Sequence, residues 1–251
     1  MNYTYAIILI NLLVWGSWLW RYHIHSYYLK QNIRSQLNSH PDGERYKKID
    51  AFLINVFGSA RSRRISRQDR QRFNKQDDSF TYGEVDCLSF MTTLEKAQPK
   101  PSEIFFDLGS GAGKAVMTAA LTFDLAQSVG VELLPGLCEL AKERVKKAQT
   151  MLMSYDSPFS ETSLERLSRI QIITDDFLHV DITHCDILFI NATCLNYATW
   201  QHIQEKLLQL RSGSRVIVTT KKILHEQFQL LYQGRTLMSW GMNSIHIYVK
   251  L

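Results

Sequence analysis

Short apolar runs alternate with longer amphipathic segments through residues 100–250. Apolar runs of about 4–8 residues are typical of buried strands, whereas apolar positions spaced three or four apart are typical of helices. This alternation predicts an α/β fold on a largely parallel sheet. The predicted strands are Glu103–Asp107, Ser128–Glu132, Arg169–Thr174, Asp186–Asn191 and Ser214–Thr220, with a closing antiparallel pair, Thr236–Trp240 and Ser244–Lys250. The predicted helices are Gly113–Phe123, Pro135–Met153, Ala198–Leu210 and Lys222–Leu231, with a polar insertion at Ser154–Ser163.

The part of the chain before this alternation has a helical pattern. From His23 to Ala60 the apolar positions recur at helical spacing. Pro41-Asp42-Gly43 interrupts the pattern, because proline and glycine together favour a turn. We therefore expect two helices here, the second over Glu44–Phe57.

Residues 3–20 carry no charged side chain and are mostly apolar, with three tryptophans near their end. Such a run is at the short end of what crosses a hydrocarbon core of about 30 Å, and tryptophan favours the interface. Arg21 and later basic residues follow it, which places the main domain on the cytoplasmic side. We expect a single-pass membrane protein anchored through residues 1–20; an ordinary core helix is the alternative.

A basic run follows the helical segment, and its members are Arg61, Arg63, Arg64, Arg67, Arg70, Arg72 and Lys75. Residues 1–100 carry 15 Lys/Arg against 9 Asp/Glu, whereas residues 101–251 carry 14 against 15, so the net charge of +5 belongs to the N-terminal part. A solvated linker is the ordinary explanation of such a run. The alternatives at residues 61–75 are an acidic lipid surface and an acidic protein or nucleic-acid partner. The chain thus divides into an anchor (1–20), a basic helical arm (21–78) and an α/β domain (79–251).

The first strand of the α/β domain ends in Asp107 and runs into Gly109-Ser110-Gly111-Ala112-Gly113. Glycines allow tight turns and a close approach of the backbone to a ligand at the carboxyl ends of the strands. The spacing is not that of a dinucleotide fingerprint, because Lys114 stands after the third glycine. A carboxylate just before the loop would repel a phosphate and attract an ammonium group. These features point to S-adenosylmethionine, which joins an amino acid to a ribose.

The ends of the later strands carry further candidate ligands of that cofactor. Glu132 ends the second strand, where a carboxylate accepts from both ribose hydroxyls. Asp176-Phe177 follows the third strand, where the carboxylate suits the adenine amino group and the ring covers the base; Asp175 is the alternative carboxylate. Asn191 follows the fourth strand and offers a carbonyl acceptor and an amide donor to an incoming amine. Its alternative role is to cap a turn.

Several other chemistries are excluded by the motifs. The chain has no Gly-x-Ser-x-Gly elbow, no Walker loop and no spacing typical of metal ligands. Its four cysteines show no paired spacing, which argues against a zinc site or a disulfide framework. We therefore expect no metal.

The combination of motifs resembles a known family. Tyr82-Gly83-Glu84, the glycine loop, Val129-Gly130-Val131-Glu132, Asp176-Phe177-Leu178 and Phe189-Ile190-Asn191 are similar to motifs of the non-SET histone-lysine methyltransferases, the disruptor-of-telomeric-silencing family. The resemblance covers residues 80–250 and implies the Rossmann-like seven-stranded sheet of class I methyltransferases. Lys114 departs from the pattern, because the family usually has a polar uncharged residue there.

The resemblance also implies roles for particular residues. Tyr82 and Glu84 belong to a loop over the methionine end of the cofactor, which Asp107, Gly109, Gly111 and Gly113 hold. Glu132 takes the ribose, and Asp176 with Phe177 takes the adenine. Asn191 is the catalytic candidate beside the methyl group, and Phe189 and Trp240 line a lysine channel.

The expected activity is methyl transfer from S-adenosylmethionine to a lysine ε-amine of a protein with an accessible lysine, by a membrane-anchored enzyme. One alternative is a methyltransferase acting on a small molecule, a lipid or RNA. The other is a non-catalytic module that binds the cofactor.

Overall fold

The computed structural model describes residues 30–58, 61–74, 82–154 and 158–251, together with Ile24, Tyr27 and Tyr28. Seven strands form one sheet in the order β3-β2-β1-β4-β5-β7-β6. The strands are β1 Ile104–Leu108, β2 Gln127–Glu132, β3 Ile170–Thr174, β4 Ile187–Ile190, β5 Arg215–Thr219, β6 Phe228–Met238 and β7 Gly241–Lys250. The first five are parallel, and β7 lies antiparallel between β5 and β6. The predicted seven-stranded α/β sheet with a closing antiparallel pair is confirmed.

The order of the strands brings the predicted site residues to one edge. The sheet grows outward from β1 in both directions, through β2 on one side and β4 on the other. At this switch point the connections diverge and leave a crevice beyond the carboxyl ends of the strands. Asp107 pairs in register with Gly130 on β2 and Phe189 on β4, so the residues that follow these strands meet at the crevice.

Seven helices with complete bounds pack around this sheet in the described part of the chain. They are α1 Gly43–Phe57, α2 Arg61–Arg72, α3 Cys87–Glu95, α4 Lys114–Thr122, α5 Pro135–Met153, α6 Pro158–Ser168 and α7 Tyr197–Leu207. Residues 30–38 are also helical. The local sequence explains several of the helix starts. The side chain of Asp86 accepts from Ser89 N at 3.1 Å, and that of Asn196 accepts from Thr199 N at 2.8 Å. Pro135 begins α5.

The two faces of the sheet bury alternate residues of its strands. Phe106, Leu188 and Val216 point to the face covered by α7. Phe105, Ile187 and Ile217 point to the opposite face, which α3 and α4 cover. The residues buried on both sides explain the continuous apolar runs of the parallel strands.

The N-terminal helices share a core with the α/β part. Leu37, Ile49 and Leu53 pack in one cluster with Met117 of α4 and Leu152 of α5. The two helices predicted on either side of Pro41-Asp42-Gly43 are present. The division of the chain at residues 78 and 79 stays a prediction.

Three predicted segments differ from the structure. Lys222–Leu231 is not a helix: residues 221–225 are irregular and β6 begins at Phe228. The segment predicted as a polar insertion, Ser154–Ser163, leads into α6. Residues 61–72 form α2 and bury Ser62, Ser66 and Asp69, so the solvated-linker explanation does not hold for this part of the basic run. The predicted membrane segment, residues 3–20, lies outside the described residues. Within the described part of the chain, no helix combines the length and the apolar character needed to cross a bilayer.

Candidate functional site

The glycine loop between β1 and α4 has a conformation that only glycine adopts easily. Gly109 has φ 86° and Gly111 has φ 53°, both in the left-handed region. The loop is tied to the neighbouring strand, because Gly109 N and Ser110 N both donate to Val131 O at 2.8 and 3.0 Å. The loop therefore turns tightly at the carboxyl end of β1.

Glu132 lies at the end of β2 with both carboxylate oxygens bound to the backbone. Oε2 accepts from Gly111 N at 2.8 Å, and Oε1 accepts from Leu134 N at 2.9 Å. Burial raises the pKa of this carboxyl, and the backbone donors oppose that rise. Each oxygen keeps a further lone pair, so the carboxylate can still accept from a pair of hydroxyls such as those of a ribose.

Asp107 is a buried carboxylate, 3% exposed, with no side-chain hydrogen bond or ion pair to any residue that the structure describes. Burial, and then the charge of Glu132, raises its pKa well above the ordinary value. A buried carboxylate without a donor is unfavourable unless a ligand supplies one. An ammonium group fits this requirement, so the residue suits the amino-acid end of S-adenosylmethionine.

A cavity of about 440 Å³ lies in front of these strand ends. Seven of the residues predicted from the sequence line it: Tyr82, Gly109, Gly111, Glu132, Asp176, Phe177 and Asn191. Its volume is within the range of small-molecule and cofactor sites, roughly 300–1,000 Å³. A narrow extension of about 20 Å³ shares Tyr82, Gly109 and Asn191 with it and is also lined by Glu84, Asp107 and Phe189.

The structure distinguishes the two adjacent carboxylates after β3. Asp176 lines the cavity beside Phe177, and its Oδ1 accepts from Leu178 N at 2.9 Å. Asp175 is exposed and does not line the cavity; its Oδ1 accepts from Asp176 N at 2.7 Å. Of these two carboxylates, Asp176 is therefore the one that lines the cavity, and its contact with a base stays a prediction.

Two predicted residues do not line either space. Gly113 lies against α5, where an added Cβ would be 3.1 Å from Cβ of Ala141. Trp240 packs its ring against Gly83. Phe189 is buried against Phe90, with ring centroids 4.8 Å apart. The lysine-channel roles of Phe189 and Trp240 stay predictions.

The loop Tyr82-Gly83-Glu84 is held by a polar network. Glu84 Oε1 accepts from the hydroxyls of Tyr82 at 2.6 Å and Ser62 at 3.0 Å. Glu84 Oε2 lies 3.5 Å from Lys114 Nζ, and Arg144 Nη2 donates to Ser62 Oγ at 2.8 Å. Lys114 thus has a carboxylate partner, which accounts for a cation beside the glycine loop.

The ring of Tyr82 covers the glycine loop. A Cβ on Gly111 would lie 2.7 Å from this ring, so glycine is required for the close approach. Burial, reinforced by the carboxylate of Glu84, raises the pKa of the Tyr82 phenol. The phenol therefore stays protonated and remains a donor to Glu84.

Asn191 follows β4 with its amide fixed by two threonines. Its Oδ1 accepts from Thr219 Oγ1 at 2.8 Å and from Thr193 Oγ1 at 3.0 Å. Thr219 Oγ1 in turn accepts from Ala192 N at 2.9 Å. Both lone pairs of the amide oxygen are used, so the amide nitrogen is the group left to face the cavity. The contact of Asn191 with an incoming amine stays a prediction.

Some lining residues carry no motif in the sequence. Ser66 on α2 and Leu134 and Leu137 at the start of α5 form one wall of the larger cavity. Helical spacing around Pro135 could have placed Leu137 toward the site; nothing in the sequence marks Ser66. Among the described residues, no three His, Cys, Asp or Glu side chains are grouped so as to hold a metal ion.

Comparison with known families bears on this site. The family model described as "Histone methylation protein DOT1" matches residues 63–242, which include most of α2, the glycine loop and the ends of the first five strands. The chain belongs to the DOT1 family. This membership confirms the family resemblance found in the sequence and the predicted cofactor, S-adenosylmethionine.

Curated DOT1 relatives are similar over this region. One from Eremothecium gossypii, named "Histone-lysine N-methyltransferase, H3 lysine-79 specific", is 28% identical over 188 residues, which are 73% of this chain and 32% of the relative. One of the same name from Caenorhabditis elegans is 29% identical over 161 residues, 62% of this chain and 16% of the relative. The chain thus spans a third or less of these two relatives.

The fold is also similar to a solved structure. TrmN from Thermus thermophilus superposes with a TM-score of 0.53 at 17% identity, covering 69% of this chain and 52% of that one. This likeness concerns the fold alone.

The predicted membrane localisation is wrong. Membership of a family of histone methylation proteins contradicts a single-pass membrane enzyme, and the relatives are named for a histone substrate. The acidic-lipid partner predicted at residues 61–75 also has no support from the family or from the named relatives. An apolar run as short as residues 3–20 is compatible with other roles than spanning a bilayer.

Proposed function

We propose that this chain is an S-adenosylmethionine-dependent methyltransferase that methylates a lysine ε-amine of a histone. The family membership supports this reaction, and the names of the relatives support histone H3 as the protein that carries the lysine. The observation that carries the proposal is the convergence of Asp107, Glu132 and Asn191 on two adjoining spaces at the strand switch point.

Different residues at the strand ends bind different parts of the cofactor. Asp107 receives the ammonium group, Glu132 the ribose hydroxyls, and Asp176 with Phe177 the base. Tyr82 covers the glycine loop and keeps water away from it. When bound, S-adenosylmethionine supplies an electrophilic methyl group.

The acceptor lysine has to lose its proton before it can attack. A lysine entering an apolar passage loses hydration, which lowers its pKa and favours the neutral amine. Phe189 and Met238 are apolar residues of the narrow extension next to Asn191, whereas Glu84, Asp107 and Lys114 form its charged side. Asn191, held by Thr193 and Thr219, orients the groups at the reacting methyl, and orientation of this kind accounts for large parts of enzymatic rates.

The test uses tritiated S-adenosylmethionine with the purified full chain and, in separate reactions, histone octamers, reconstituted nucleosomes and a fractionated cell extract. We expect label on histone H3, and a fall in kcat of about 100-fold for Asn191→Ala, because misplaced reacting groups cost rate rather than cofactor binding. Asn191→Asp keeps the shape of the side chain but removes the amide donor, and we expect it to be impaired as well. Binding of S-adenosylhomocysteine, measured by calorimetry, should be unchanged within about threefold in both variants.

Other outcomes would contradict defined parts of the proposal. Failure of the wild-type chain to bind S-adenosylhomocysteine would exclude the cofactor and with it the reaction. Binding without transfer to any fraction would indicate a non-catalytic module. Label confined to small molecules, lipid or RNA of a cell extract would keep the enzyme but reject the histone.

A further inference from the structure

Helix α2 presents one polar face to the rest of the protein. Ser62, Ser66 and Asp69 are spaced four and three residues apart, which places them on the same side of a helix. All three are buried, although the helix is otherwise rich in exposed arginine and glutamine. Buried polar side chains of this kind normally have hydrogen-bond partners.

Two of the three have partners in the protein. Ser62 donates to Glu84 and accepts from Arg144. Asp69 Oδ2 accepts from Gly136 N at 2.6 Å. These contacts fix both ends of α2 against the loop over the glycines and against the start of α5.

Ser66, between them, is different. It is 1% exposed, and its Oγ has no hydrogen-bond partner among the described residues. A serine inside a helix can satisfy its hydroxyl by bonding the carbonyl four residues back, but Ser66 makes no such bond. It lines the 440 Å³ cavity together with Glu132, Leu134 and Leu137. A ligand bound in this cavity would lie next to Ser66 and can supply the missing partner of its hydroxyl.

We propose that Ser66 is a cofactor-binding residue whose hydroxyl hydrogen-bonds an oxygen of S-adenosylmethionine. This inference rests on the proposed function, since it needs the cofactor in that cavity. It makes α2 a wall of the cofactor site. The oxygen belongs either to the ribose or to the amino-acid carboxylate, and these two sources are separable by experiment.

The test is calorimetric titration of the full chain with S-adenosylhomocysteine. We expect Ser66→Ala to raise Kd by about three- to tenfold, the effect of losing one net hydrogen bond. Gln68→Ala, on the exposed side of the same helix, is the matched control and should leave Kd unchanged. Titration with 5′-methylthioadenosine, which lacks the amino-acid part, assigns the contact: a weakening there too places it on the ribose, and a weakening for S-adenosylhomocysteine alone places it on the carboxylate.

Unfolding of the ligand-free protein separates binding from structure. Because the Ser66 hydroxyl has no hydrogen-bond partner among the described residues, removing it should leave Tm unchanged or slightly higher. A lower Tm together with an unchanged Kd would show a structural serine and overturn the inference. Equal Kd values for Ser66→Ala and wild type would overturn it while leaving the proposed function intact, whereas no binding by wild type would overturn the proposed function itself.

Discussion

Asp107 and Glu132 are two carboxylates buried within one site, and they differ in the hydrogen bonds that they accept. Glu132 accepts two backbone N–H groups, whereas Asp107 has no donor among the described residues. The burial of Asp107 therefore destabilises the ligand-free protein, and binding of a cationic ligand removes this destabilisation. Such a residue is expected at a binding site, where function and stability conflict.

The raised pKa of Asp107 predicts how stability depends on pH. In the interval between its ordinary pKa and the raised native value, the native carboxyl keeps a proton that the unfolded chain has released. Stability of the ligand-free protein therefore falls as the pH rises through this interval. We expect Asp107→Asn to raise the free energy of unfolding at pH 7 by about 1 kcal/mol or more, since each pKa unit corresponds to about 1.4 kcal/mol. The gain should disappear near pH 4, as followed by urea denaturation at both pH values.

The same variant should bind S-adenosylhomocysteine at least about tenfold more weakly, because a charge-assisted contact is lost. Asp175→Asn is the matched control: this neighbouring carboxyl is exposed and outside the cavity, so neither stability nor affinity should change. A loss of stability in Asp107→Asn at pH 7 would show that the carboxylate has a structural partner and would refute the prediction.

The sequence could place the residues at strand ends because their position follows from the topology. Asp107, Glu132 and Asn191 each follow a strand recognisable by its apolar run, and parallel strands bring their ends to one edge. The surroundings of Glu84 could not be predicted in the same way. Its partners Ser62, Lys114 and Arg144 come from three helices, and only their packing brings them together.

At the scale of the elements, α2 provides a cap for another helix. The start of α5 has no cap from its own sequence, and Asp69 supplies one from 67 residues upstream by accepting from Gly136 N. Gly136 leaves room for this contact, because a Cβ there would lie 2.7 Å from Asp69 Oδ2. The one acidic residue among the arginines of α2 thus has a structural explanation.

This cap predicts a graded effect of two substitutions. Asp69→Ala should lower the free energy of unfolding by about 1 kcal/mol, the usual value of an N-terminal cap. Asp69→Asn keeps an oxygen acceptor and should lose only about 0.3–1 kcal/mol, the value of a negative charge at a helix N-terminus. Urea denaturation measures both, with Gln71→Ala on the exposed side of α2 as the control. Equal stability of all three variants and wild type would mean that the contact contributes nothing to the fold.

The elements that the sequence did not predict correctly have a physical reason in common. Helix α6 buries Ser160, Ser163 and Leu167, and α2 buries only polar residues, so neither shows a clear apolar stripe. Strand β6 is an edge strand with an irregular register between Leu230 and Tyr232, which breaks the alternation that identifies strands. In each case packing against other elements, rather than local pattern, decides the structure.

At the scale of the whole molecule, the N-terminal helices and the sheet form one structure around the site. Tyr46, Ile49 and Leu53 of α1 are fully buried in a cluster with Met117 and Leu152. The 440 Å³ cavity is lined by Ser66 of α2 and Glu132 of β2. Binding of a ligand there should couple the two parts of the chain.

A chain that begins at residue 79, the predicted domain boundary, tests this coupling. This chain lacks α1 and α2, so the apolar faces of α4 and α5 become exposed. It also lacks Ser62, so Glu84 in the loop over the glycines loses one of its hydrogen bonds. We expect the shortened chain to bind a hydrophobic dye and to unfold without a sharp transition, because its exposed apolar clusters favour aggregation. We also expect it to bind S-adenosylhomocysteine at least about tenfold more weakly, because the ligand then has to order the unsupported loop. A chain that begins at residue 30 keeps every labelled helix and is the control. If instead the chain from residue 79 unfolds sharply and binds with wild-type affinity, the boundary separates an independent domain, and the N-terminal helices must serve something other than the cofactor site.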